Sequence, residues 1–105
     1  VPVEATLAGL QNAILRDGPL MARLLPGPAR RIARMVVARW GSLTAGKRER
    51  AWAKARIKED VVALYPFWTS FVLKMLVTLI VNWIMSNRSP LIDAKMQHIR
   101  KKEIL

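Results

Sequence analysis

The sequence predicts an all-α chain organised on one transmembrane helix. Short amphipathic basic helices precede that helix, a short charged helix follows it, and no independent globular core is expected. Three observations carry this expectation. The run from Val61 to Asn87 is the one long apolar stretch, and it holds a single charge, Lys74. Basic residues crowd both flanks; Tyr65, Phe67 and Trp68 near one end and Trp83 near the other suit the headgroup level of a bilayer. The rest of the chain is basic and broken by Pro19, Pro26 and Pro28, a poor basis for a core of its own.

A helix over Phe67 to Met85 would be about 28 Å long at ~1.5 Å per residue. That approaches the ~30 Å hydrocarbon layer that ~20 apolar residues cross. The competing reading is a buried helix of a soluble core, and a chain this short rarely devotes a quarter of itself to one nearly uncharged helix.

Within the run, Ser70, Lys74, Thr78, Asn82 and Ser86 recur every four residues. Residues four apart stack along a helix, so these groups form one oblique polar stripe. A lysine at mid-bilayer costs about 2.5–3.5 kcal/mol on insertion scales and normally faces protein or water. The stripe is therefore expected to pack on a partner helix, with Lys74 meeting a carboxylate or a helix C-terminus. Snorkelling of Lys74 toward the headgroups is the bland alternative. A third reading places Lys74 and Asn82 on a polar path through a channel or protein translocase.

The chain carries 18 Lys+Arg against 7 Asp+Glu, a formal net charge of +11. Such a balance points to polyanions: phospholipid headgroups, nucleic acid or acidic partner surfaces. The apolar run and the lack of a zinc motif or aromatic strand pattern argue against nucleic acid. There is no cysteine, so disulfides and thiolate metal sites are excluded. The first forty residues are Arg-rich and acid-poor, and residue 1 is Val, which fits a processed mitochondrial protein.

In order, Leu7, Leu10, Ile14 and Leu15 suggest a helix over Val3 to Leu15. Asp17-Gly18-Pro19 is a turn into a short apolar helix that stops at Pro26. Pro26-Gly27-Pro28 is read as a hinge before an amphipathic basic helix, Ala29 to Trp40. There Ile32, Val36 and Trp40 share one face and Arg30, Arg31 and Arg34 lie off it. Gly41 to Gly46 breaks the pattern. From Lys47 a helix is expected to run into the span, with a kink at Pro66. Its juxtamembrane cations attract anionic lipid at ~1 kcal/mol each. Lys54, Arg56 and Lys58, with Trp68 and Arg88, are the expected headgroup contacts, and cardiolipin or another anionic phospholipid is the expected structural ligand. Residues 61–87 thus separate a basic arm, 1–60, from a charged tail, 88–105, which holds a last helix over Pro90 to Ile104. The greater number of cations before the span leans the N-terminus toward the matrix.

No motif supports catalysis, a cofactor, a metal or a small-molecule substrate. Glu59-Asp60 is more suited to pairing with Arg56 than to acid–base work, and His98 reads as a surface residue of a basic tail. The layout of basic arm, polar-striped span and charged tail resembles the small single-pass accessory subunits of mitochondrial respiratory complexes and ATP synthase. Leu25-Pro26-Gly27-Pro28, then Arg31, Arg34 and Arg39-Trp40-Gly41, resemble the turn and basic-aromatic helix before the membrane helix of ATP synthase subunit f. The chain departs from that family in lacking the tyrosines of its basic stretch and in the longer segment Lys47 to Asp60. The resemblance implies a structural accessory subunit of an inner-membrane bioenergetic complex, single-pass, contacting other subunits and lipid.

Overall fold

Thr6 opens the first helix: its hydroxyl accepts the Gly9 N–H at 3.0 Å, satisfying one of the donors a helix start leaves free. The computed structural model describes residues 6–104, with side chains as far as Lys102; the start of the helix expected from Val3 lies outside the described residues. The first helix, α1, is Leu7–Asp17, and Leu7, Leu10, Ala13 and Ile14 form its buried face. Gly18 ends it. A Cβ there would lie 2.5 Å from the Ile14 carbonyl oxygen, so the chain can turn this tightly only without a side chain. A single short turn of helix follows, α2, Leu20–Leu24.

The expected hinge at Pro26-Gly27-Pro28 is instead the first turn of a helix, α3, Pro26–Ala38. Prolines are tolerated there because the first N–H groups of a helix have no intrahelical partner. The segment expected to break the pattern forms α4, Trp40–Ala45. Then come α5, Lys47–Leu64, and α6, Ser70–Ser86. Ser89 accepts the Ile92 N–H at 3.2 Å and Pro90 takes the first position of α7, Pro90–Ile99. One π-helical turn, Arg100–Ile104, continues it.

The transmembrane expectation is overturned. Among the described residues no helix is long and apolar enough to cross a membrane. Pro66 does not kink a continuous helix; it divides the apolar run. Tyr65, the residue before it, takes φ −129° and ψ 68°, because a following proline disfavours the helical conformation. The chain reverses through residues 65–69, and the 17 residues of α6 span only about 25 Å at ~1.5 Å per residue.

The absence of an independent core is also corrected. The inner face of α6, Leu73, Leu76, Val77, Ile80, Val81 and Ile84, is buried. It packs against α3, which contributes Ile32, Val36 and Val37, and against α5, which contributes Ala53, Ile57 and Val61. α1 lies on α3, and α4 folds back on α5. The segments that looked too proline-broken to build a core supply Leu7, Leu10, Ile14, Trp40 and Leu43 to it. The radius of gyration, 12.6 Å, matches the about 13 Å of a packed domain of this length. No described charged or polar residue is buried as a whole.

One polar contact closes the chain on itself. The buried Trp40 indole N–H donates to Asp93 Oδ1 at 3.1 Å, and Arg88 Nε donates to the same carboxylate at 3.2 Å, joining α4 to α7.

Two outcomes follow. Ile80→Ala should lower the unfolding free energy by about 2–5 kcal/mol in urea titrations, as core truncations do; a loss below about 1 kcal/mol would mean that α6 is not the centre of the fold. Asp93→Ala should cost about 1–3 kcal/mol by stranding the Trp40 N–H, whereas Asp93→Asn, which keeps an acceptor, should cost less.

Candidate anion-binding face

Helices α5 and α6 form an antiparallel hairpin. Lys54 Nζ donates to Asn82 Oδ1 at 3.3 Å, and one turn nearer the closed end Lys58 shares a shallow cleft of about 280 Å³ with Phe71, Lys74, Met75 and Thr78. On α5 the residues Lys47, Ala51, Lys54, Ala55 and Lys58 recur at spacings of three and four, so they share one face. Small alanines between the lysines leave an open trough of about 300 Å³ with Arg50 at its edge. Lys74 of α6 extends this row across the hairpin.

Four of the five acids whose side chains are described are held by arginines. Asp17 pairs with Arg16 at 2.9 Å, Asp60 with Arg39 at 3.4 Å, Glu59 with Arg56 at 3.6 Å and Asp93 with Arg88 at 3.2 Å. Arg39 also lies over the Trp52 ring, 5.5 Å from its centre. Four acids are therefore matched with arginines, Glu49 at the start of α5 holds none, and no ion pair engages Lys47, Lys54, Lys58 or Lys74 among the described residues. The crowding shows in Lys54, whose pKa lies below its ordinary 10.5: burial lowers it most, then the charges of Lys58 and Arg50. A lysine held low destabilises the fold while charged, and that penalty is relieved as pH rises through its folded pKa toward 10.5. A bound anion would relieve it without deprotonation.

The closed end of the hairpin is apolar and outward. Phe67 is 98% exposed, Trp68 41% and Leu64 48%. Trp68 meets Tyr65 edge to face at 6.1 Å, and its N–H bonds the Tyr65 carbonyl at 3.1 Å, which stiffens the turn. Phe71, Met75 and Leu79 continue the exposed apolar surface down α6 at four-residue spacing.

The sequence-predicted sites fall out as follows. Ser70, Lys74, Asn82 and Ser86 are exposed and Thr78 half-buried, on the outer face of α6. Three of the five find partners within the chain: Thr78 Oγ1 donates to the Lys74 carbonyl at 3.1 Å, Ser86 Oγ to the Trp83 carbonyl at 2.8 Å, and Asn82 accepts from Lys54. Of the expected headgroup contacts, Lys54, Lys58 and Trp68 belong to the hairpin. Arg56 lies on the opposite side of α5, with Glu59, and Arg88 lies beyond the other end of α6, with Asp93. Sequence reasoning missed that Phe67 projects from the turn and that Lys74 completes the α5 row; the one available signal was Pro66, read as a kink rather than a reversal.

No family model, no curated protein and no solved structure matches the chain.

Lys58→Gln should raise the Lys54 pKa toward 10.5, because it removes the larger of the two charges that lower it. Nitrogen-15 NMR titration of the side-chain ammonium groups measures this, and an unmoved Lys54 would show that the lysines do not sense one another.

Proposed function

We propose that this chain is a structural, non-catalytic module that holds a larger assembly against an anionic phospholipid surface, docking by the α5–α6 hairpin rather than by a spanning helix. The observation that supports it best is the hairpin's closed end, where Phe67 stands 98% exposed near a row of lysines that hold no acid. An apolar side chain entering the headgroup–acyl boundary gains about 1.5–3 kcal/mol if fully buried. Each nearby cation adds ~1 kcal/mol on an anionic leaflet. Neither contribution alone anchors a protein firmly; the two together give selective, reversible attachment. In a multi-subunit inner-membrane bioenergetic complex such a module would serve as an accessory subunit at the membrane surface, with cardiolipin among its lipid contacts.

The test is sedimentation of the full chain with vesicles of phosphatidylcholine alone and of phosphatidylcholine with cardiolipin, at low and moderate salt. Binding should require cardiolipin and weaken with salt. The pair Lys58→Gln and Lys74→Gln should lose about 2 kcal/mol, roughly thirtyfold. Phe67→Ser should lose affinity without shifting the thermal midpoint, since its side chain supports no packing. Equal binding to neutral vesicles, or nuclease-sensitive capture by RNA in place of vesicles, would remove the reading.

A further inference from the structure

A second cationic site lies beside the hairpin turn, on α3 rather than on the lysine row of α5. On α3, Gly27, Arg30, Arg31 and Arg34 recur at i, i+3, i+4 and i+7 and so share one face. With Gln11 of α1 and Tyr65 of the hairpin turn they line an open groove of about 600 Å³. Gly27 keeps the floor clear, and the Tyr65 hydroxyl stands 3.9 Å from where a Cβ at Gly27 would be. All three arginines are exposed, and no ion pair or hydrogen bond ties any of them to another described residue. This sets them apart from Arg16, Arg39, Arg56 and Arg88, each of which holds an acid.

We infer that this groove binds a phosphomonoester. Three guanidinium groups converge on one concavity in which no acid shares the lining. A carboxylate offers one charge and two oxygens, too little for three forks. A phosphomonoester carries about −1.5 to −2 charges near neutral pH and three strong acceptor oxygens. Guanidinium matches phosphate oxygens in a bidentate way that an ammonium cannot. The uncharged groups at the rim, the Gln11 amide and the Tyr65 hydroxyl, suit the hydroxyls of a polyol or sugar that carries the phosphate. The bound group belongs to a soluble phosphorylated polyol or to the headgroup of a phosphomonoester lipid.

Two arms separate these sources. The first is calorimetric titration of the full chain with inositol 1,4,5-trisphosphate, with inorganic phosphate as competitor. The second is sedimentation with vesicles containing phosphatidic acid, a phosphomonoester, against vesicles containing phosphatidylserine, a diester, at matched surface charge. Saturable binding of the soluble probe, displaced by phosphate, supports the site with a soluble ligand. Preference for phosphatidic acid with no binding of the soluble probe supports it with a lipid one. In either case Arg30→Ala with Arg34→Ala should lose roughly tenfold or more in affinity, Arg34→Lys should lose part of it although the charge is kept, and the melting curve should not move. Phe67→Ser and Lys58→Gln should leave soluble-probe binding intact, so failure of the hairpin reading and failure of this one are told apart. The inference is overturned if the soluble probe does not bind and phosphatidylserine does as well as phosphatidic acid, or if the arginine variants bind as the parent does.

Discussion

Six residues on one side of α6, Leu73, Leu76, Val77, Ile80, Val81 and Ile84, hold the fold together. They need cover from water, and a 17-residue helix cannot find it by crossing a bilayer. The cover comes from α3 and α5, whose own apolar faces are too narrow to be stable alone. Pairing α5 with α6 requires the chain to reverse within a few residues, and Pro66 brings that about. The same reversal leaves the turn residues nowhere to pack. Phe67 and Trp68 are outside because the helices that flank them are inside, so the most conspicuous surface feature is a product of the core's geometry.

Charge follows a second economy. Four described acids are each matched with an arginine close by, and these pairs sit at helix ends and crossings: Arg39 with Asp60, Arg88 with Asp93. Exposed pairs of this kind contribute little to stability, about 0–1 kcal/mol each. Their larger effect is on what remains. Among the leftover cations, the lysine row of the hairpin and the arginine groove beside α3 form two clusters that differ in chemistry as well as position. Ammonium groups on an open helix face suit a diffuse anionic surface, whereas guanidinium groups in a concavity suit one well-defined anion.

Much of the local structure was legible in the chain. Four of the residues before proline, Gly18, Leu25, Tyr65 and Ser89, mark turns, because proline restricts the residue it follows; Gly27, before Pro28, lies inside α3. The apolar face of α3 was visible in Ile32 and Val36, although the helix expected to run on to Trp40 ends at Ala38, and its arginines were set off that face. The four-residue recurrence of Ser70, Lys74, Thr78, Asn82 and Ser86 was a real surface pattern, but periodicity says only that residues share a side of a helix. It does not say what that side meets. In the fold the stripe faces outward beside Lys54 and Lys58, where the Thr78 and Ser86 hydroxyls and the Asn82 amide are satisfied within the chain. The arginine groove was half legible: α3 supplied its cations in sequence order, while Gln11 and Tyr65 come from segments that only packing brings beside them.

The sequence by itself determined the all-helical character, the strong positive charge and the position of the apolar run. Only the tertiary structure decided what the run is buried in. Hydropathy measures the tendency of a segment to leave water, and a lipid tail and a neighbouring helix relieve that tendency almost equally well. The choice rests on terms that a window of residues does not contain: whether one proline divides the run, and whether distant helices bring matching apolar faces to it.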